Sequence, residues 1–397
     1  MDDNTRNLIL ATALSFLVML VWFVIFPPEP PQPALESAPI AVDGTTPPQA
    51  DPTAGADASA TTAAEPTAVD APRIALETDR VTGSVSLQGG RIDDLALKDY
   101  RTEALGSAPI VDLLRPLGTD GAYYALFGWA PGGNVDANAV PGADTLWTVS
   151  EGRTLSVGEP ITLSWSNGAG LSFSRQISID EDFLFTITQS VRNDSGAEVS
   201  LAPYGTLARH GQPDDLKNFF ILHEGLVRMS DGVLDEIDYD NIGDVSTEEE
   251  NDSGAVQYRL AESGWIGFTD HYWMATLAPA DAAGTRTRAQ FNPRSDIYQS
   301  SVISPTQSVA PGATASVTTF LFAGAKEWET IRNYEAGERI KDLGGSIAYA
   351  LAGQEAGIAG FLDSIDWGWF FFLTKPIFFV LHELNVIIGN MGWSIIG

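Results

Sequence analysis

The apolar pattern opens with nineteen residues without a charge, 8–26 (LILATALSFLVMLVWFVIF). As a helix rising about 1.5 Å per residue, the run spans roughly 28 Å, close to a hydrocarbon core of ~30 Å. Trp22 lies near its far end, where aromatic rings favour the headgroup region. The run is longer than a signal-peptide core and Pro27-Pro28 follows at once, so residues 1–27 are expected to form a retained transmembrane anchor. Arg6 precedes the run and no Lys or Arg occurs in 27–72, which places the N-terminus in the cytoplasm and the remainder outside it.

Residues 27–72 hold 11 prolines, seven acidic residues, and no basic or aromatic residue. Such a stretch buries too little apolar area to offset its ordering entropy, and 28–72 is expected to be a disordered linker. Beyond it the pattern changes to period 2. In 171–179 (LSFSRQISI) every odd position except Arg175 is apolar, and Phe183, Phe185 and Ile187 resume the alternation after Asp180-Glu181-Asp182. This predicts a hairpin of half-buried strands. Residues 161–165 and 316–322 read alike, so the segment from 73 to about 326 is expected to be a large antiparallel sandwich.

Helical signals return near the C-terminus. Residues 325–342 (AKEWETIRNYEAGERIKD) form a charged helix pattern, closing a domain expected over 73–345. Residues 346–389 are expected to be a connector and an interfacial helix. At 100° per residue Thr374, Lys375, His382 and Asn385 share one arc of about 100°, with Glu383 at its margin. Ile377, Val380, Leu381, Leu384, Ile387 and Ile388 fill the opposite arc of about 120°, and Phe378 intrudes on the polar side. Charges in its middle oppose a transmembrane reading, since each costs ~2.5–3.5 kcal/mol at a span's centre. An amphipathic helix rich in aromatic residues lies in the interface plane. Pro376 is accommodated if the helix starts near Thr374 or Lys375. The membrane-interface candidates are therefore Trp22, Trp367, Trp369, Phe371, Lys375 and Phe378. Residues 390–397 then resume a charge-free run and are expected to begin a second span.

Composition narrows the chemistry. The net charge of −30 excludes a nucleic-acid partner, which needs clustered cations. With no cysteine there is no disulfide framework and no thiol nucleophile. No nucleotide, nucleophile-elbow or zinc-protease motif occurs, so neither a cofactor, a metal nor an enzymatic role is expected. Asp238 to Glu249 echoes a calcium loop, but Ile242 stands where a ligand is needed, and a solvated acidic loop over 231–252 is the better reading. A sugar-active sandwich would need a His and a carboxylate converging in an aromatic cleft; His210, His271 and Glu224 are the candidates.

The order anchor, proline-rich linker, β domain, DWGWFFFLTKP at 366–376 and GNMGWSII at 389–396 resembles bacterial members of the YidC/Oxa membrane insertase family. Residues 7–15 (NLILATALS), 89–100 (GGRIDDLALKDY), 191–196 (VRNDSG) and 321–326 (LFAGAK) carry the same likeness. The resemblance implies a mainly β, galactose-mutarotase-like periplasmic supersandwich without that enzyme's activity, on an inner-membrane protein. It implies insertion and folding of nascent inner-membrane proteins, alone or beside the Sec translocon, with the lipid bilayer as a further partner. The family's insertase groove is built from later membrane helices, so none of its residues is assigned in this chain. The alternatives are a membrane-tethered scaffold and a carbohydrate-binding module.

Overall fold

The computed structural model describes residues 71–103, 108–133, 135–213, 216, 222–248, 256–337, 357–368 and 371–396. The expected anchor, and the linker as far as residue 70, lie outside the described residues. Among the described residues, twenty strands form two sheets. The eleven-stranded sheet holds β1 (Arg73–Glu77), β2 (Val81–Ser86), β3 (Ile92–Arg101), β4 (Ile110–Leu114), β5 (Tyr123–Gly132), β7 (Thr154–Leu155), β11 (Val199–His210), β14 (Val256–Arg259), β17 (Arg286–Asn292), β18 (Ile297–Ile303) and β19 (Gln307–Val309). The nine-stranded sheet holds β6 (Thr148–Glu151), β8 (Ile161–Ser166), β9 (Leu171–Ile179), β10 (Leu184–Asn193), β12 (Gly225–Ser230), β13 (Val233–Asp238), β15 (Gly264–Thr269), β16 (Trp273–Pro279) and β20 (Thr314–Ala325). Their order is β14-β17-β18-β11-β5-β3-β2-β1-β7, with β4 on β3 and β19 on β11, and β13-β12-β15-β16-β20-β10-β9-β8-β6.

The alternation read from 171–187 becomes the β9–β10 hairpin, with Ile179 opposite Phe185 and Ile177 opposite Ile187. Inward positions Leu171, Phe173, Ile177, Phe185 and Ile187 are buried, and they meet Phe127 and Trp129 of β5 in one core. The Trp129 and Phe173 rings lie 6.5 Å apart across the two sheets. Face-to-face packing of two inner faces is what period-2 strands on both sides permit.

Arg175, the polar exception in that alternation, points inward with its neighbours and is 1% exposed. Its guanidinium donates to the carbonyls of Gly89 (3.0 Å), Gly90 (2.8 Å) and Phe127, and lies 4.6 Å from the Trp147 ring centroid. Burial pushes its pKa down to about 10. The Gly89-Gly90 pair has φ of +71° and +61°, and a Cβ on Gly90 would collide with the Arg175 guanidinium.

The acidic segment after β13 departs from the expectation of a solvated loop. Residues Tyr239–Glu248 form helix α1, with Tyr239 and Ile242 buried in the core. Ile242, the residue that disqualified a calcium loop, is there to pack, and Tyr239 stacks on Phe268 at 5.9 Å. Helix α2 (Trp328–Glu335) follows β20. A strap, 357–368, contains a 3-10 turn at Phe361–Ser364 and leads to α3 (Phe371–Ile388) and α4 (Met391–Ile396). The start expected near Thr374 is corrected to Phe371, which puts Pro376 inside the helix at the cost of one main-chain hydrogen bond. Among the described residues no helix is long and apolar enough to cross a membrane.

Candidate membrane-interface helix and its seat

The strap is fixed before the helix begins. Phe361 is fully buried, packing edge-on against Trp265 (5.5 Å), Phe322 (5.4 Å) and Tyr334 (6.4 Å). Trp265 Nε1 donates to the Ala359 carbonyl at 3.2 Å. Helix α2 holds the strap from the other side, since the Leu362 amide donates to Glu335 and the Ile358 amide to the Tyr334 carbonyl (3.0 Å). The Tyr334 hydroxyl in turn donates to Asp180 at 2.6 Å, tying α2 to the β9–β10 turn.

Asp366, Trp367 and Gly368 each have a separate task. Asp366 accepts the His223 amide (2.7 Å) through one oxygen and the Gly368 amide (2.9 Å) through the other. Gly368 sits at φ +68°, the left-handed region that a side chain disfavours. Trp367 donates its indole N–H to the Leu362 carbonyl at 3.1 Å, and its own carbonyl accepts from Thr374 at 2.8 Å. Nearby Lys326 is half-buried and donates to Thr269 Oγ1 at 2.9 Å. Burial pushes its pKa down, while Asp270, Asp366, Glu224 and Glu236 pull it up.

Helix α3 docks by the arc that the sequence marks as polar. Phe378, at the centre of that arc, is the knob between Trp328 (5.5 Å) and Trp367 (5.6 Å). His382, one turn on, packs on Trp328 at 4.5 Å, and Arg332 lies 4.5 Å from the Trp328 ring centroid. Lys375 pairs with Asp363 and stands 5.8 Å from the Trp367 ring. Most of the opposite arc is open: Leu373 is 46% exposed, Ile377 49%, Val380 55%, Ile387 79% and Ile388 44%, while Leu381 and Leu384 are half-buried. Trp393 and Ile395 of α4 extend it, each 65% exposed. Gly389 (φ +71°) ends α3, and the Asn390 side chain accepts the Trp393 amide at 3.2 Å to start α4.

Of the six candidate interface residues, Trp367, Lys375 and Phe378 therefore gather in the seat. Trp22, Trp369 and the Phe371 side chain lie outside the described residues. Sequence reasoning missed Trp328, Asp363 and His382 as seat residues; the signal was Phe378 standing alone in a polar arc, which marks a contact rather than an imperfection. His271 lines a cleft, His210 packs 5.9 Å from Tyr124, and Glu224 immediately precedes β12. Among the described residues no three His, Cys, Asp or Glu side chains gather to hold a metal.

Comparison with known proteins bears on this geometry. The family described as the YidC periplasmic domain matches residues 73–380. A membrane protein insertase YidC of Ruegeria pomeroyi is 52% identical over 408 residues, covering 100% of this chain and 64% of that protein. One from Roseobacter denitrificans is 53% identical over 403 residues, covering 100% and 63%. The chain thus spans a little under two thirds of the length of these curated relatives. Among solved structures, a galactose mutarotase related enzyme from Lactobacillus acidophilus aligns with a TM-score of 0.42 and 12% identity, over 64% of this chain and 97% of that one. The motif that shapes the seat, 366–376, falls within the matched residues, and the chain belongs to the YidC periplasmic domain family.

Proposed function

We propose that this chain is the periplasmic and membrane-surface part of an inner-membrane protein insertase, and that the sandwich serves to hold α3 in the bilayer interface. The observation that carries this reading is the division of labour on α3. Its polar arc and Phe378 are spent on the protein, while its apolar arc is presented outward. A helix stabilised only by burial in the sandwich would turn the apolar arc inward. An insertase lowers the cost of moving polar groups into lipid and needs no nucleotide or metal for that step. Its partners are then the lipid bilayer, nascent inner-membrane proteins and components of the Sec translocon, with the sandwich in the periplasm.

The absence of native cysteine makes the test direct. Single cysteines replacing Val380, Ile387, Phe378 or His382 are spin-labelled in the full chain reconstituted in liposomes. Labels at 380 and 387 should contact lipid-dissolved oxygen and be shielded from a water-soluble nickel complex. Labels at 378 and 382 should be shielded from both. Equal water exposure at 380 and 387 would refute the reading. For the partners, photo-crosslinkers along exposed strands separate two roles: contacts confined to Sec proteins indicate scaffolding, and contacts to nascent chains indicate substrate capture.

A further inference from the structure

Strands of both sheets line a cleft of about 850 Å³ that the helix seat does not use. Its walls are aromatic. Tyr100 and Trp273 meet edge-on at 5.0 Å, and Tyr272 meets Trp273 edge-on at 5.8 Å. Tyr272 is 59% exposed and stacks on His271 at 3.8 Å, so its outer face is a platform braced from behind.

The polar groups below these walls are of two kinds. Two of the charged ones are matched within the protein: Arg209 donates to both oxygens of Asp270 (3.0 and 2.8 Å), and Glu327 is held by Arg80 and Tyr100. Burial alone would push Arg209 down, but Tyr239, Asp270 and Tyr123 outweigh it and hold the guanidinium above its ordinary value. The neutral ones include two without partners. The Tyr123 hydroxyl, on a side chain only 3% exposed, and His271 Nδ1 are both buried and make no hydrogen bond. Such groups cost free energy unless something satisfies them.

We propose that this cleft binds a short neutral glycan. A pyranose ring offers an apolar C–H face to an aromatic platform and hydroxyls, both donor and acceptor, to polar groups at its edge. Tyr272 supplies the platform, and the Tyr123 hydroxyl and His271 Nδ1 are the free hydrogen-bonding positions. The Arg209 guanidinium on the floor is already paired with Asp270 and is not free to hold an anion. An extended polypeptide is disfavoured because β4, whose Val111, Asp112 and Leu113 border the cleft, shifts register against β3 twice and offers no even ladder for an added strand.

The test uses the full chain in detergent micelles, titrated calorimetrically with maltotriose, cellotriose and triacetylchitotriose. At least one should bind saturably in the millimolar range or tighter. Tyr272→Ala should weaken that sugar tenfold or more, and Tyr123→Phe, which removes only an unpartnered hydroxyl, about threefold or more. Leu146→Ala, at a residue exposed outside the cleft, should leave it unchanged. The inference is overturned if none of the three sugars binds, or if binding ignores Tyr272→Ala. It is also overturned if an uncharged Ser/Thr decapeptide binds and the sugars do not displace it. Circular dichroism checks that the variants are folded.

Discussion

Asp180 makes the stability of this protein depend on pH in an unusual direction. The carboxyl is buried in the β9–β10 turn, where one oxygen accepts the Asp182 and Leu184 amides (both 3.0 Å) and the other the Tyr334 hydroxyl. Burial pushes its pKa from the ordinary 3.8 up to about 6, against the Tyr334 and Leu184 hydrogen bonds, which favour the charged form. The folded state therefore holds a proton that the unfolded chain has already released. That stabilisation is complete below the unfolded pKa and is lost as pH rises through 6, the reverse of a salt-bridged aspartate. The total is ~3 kcal/mol, and about 2 kcal/mol of it falls between roughly pH 4.5 and pH 7.5. In Asp180→Asn the two amide bonds have an equivalent acceptor and the side chain no longer titrates. Any cost of turning the Tyr334 hydroxyl is the same at every pH. Urea unfolding of the native chain and the variant in detergent, followed by tryptophan fluorescence, gives the difference in stability at each pH. The native chain should gain about 2 kcal/mol on the variant from roughly pH 7.5 down to 4.5. A difference that stays flat, or one that runs the other way, defeats the assignment.

Three further expectations rest on the seat and the core. Phe378→Ala removes its ring contacts with Trp328 and Trp367 and the stacking on His382, and should free α3 from the sandwich at a cost of about 2–3 kcal/mol, read as faster hydrogen exchange across Phe371–Ile388 with the strands unchanged. Lys375→Met should cost less than about 1 kcal/mol, because the side chains of the pair with Asp363 are 35% and 40% exposed; molar salt should therefore leave that exchange unchanged. Arg175→Met leaves three buried carbonyls without a donor and should lower stability by about 3–5 kcal/mol in urea unfolding.

The sandwich was legible because period-2 strands announce which residues face inward, as at 171–187. Helix α3 was legible for the same kind of reason, but not the direction it faces. That depends on Trp328 and on a strap fixed by His223 and Trp265, all distant in sequence from Phe378. Its start was misplaced because a proline at the sixth helical position is disfavoured locally, and the Thr374 bond to Trp367 with the seat contacts outweighs that. Helix α1 was hidden by its acidity. Among its described side chains Tyr239 and Ile242, three residues apart, record its buried side.

The guanidinium that crosses the core at Arg175 has a consequence for how this domain can vary. Gly89, Gly90 and Arg175 act as one unit of inheritance: a side chain at 90 has nowhere to go while the arginine is present. Removing the arginine first strands the carbonyls it serves. Neither change is tolerable alone, and a paired change still leaves Phe127 without its donor. Sequence drift in the remaining strands can therefore proceed face by face, whereas these three positions are joined across some 85 residues of chain and can only move together.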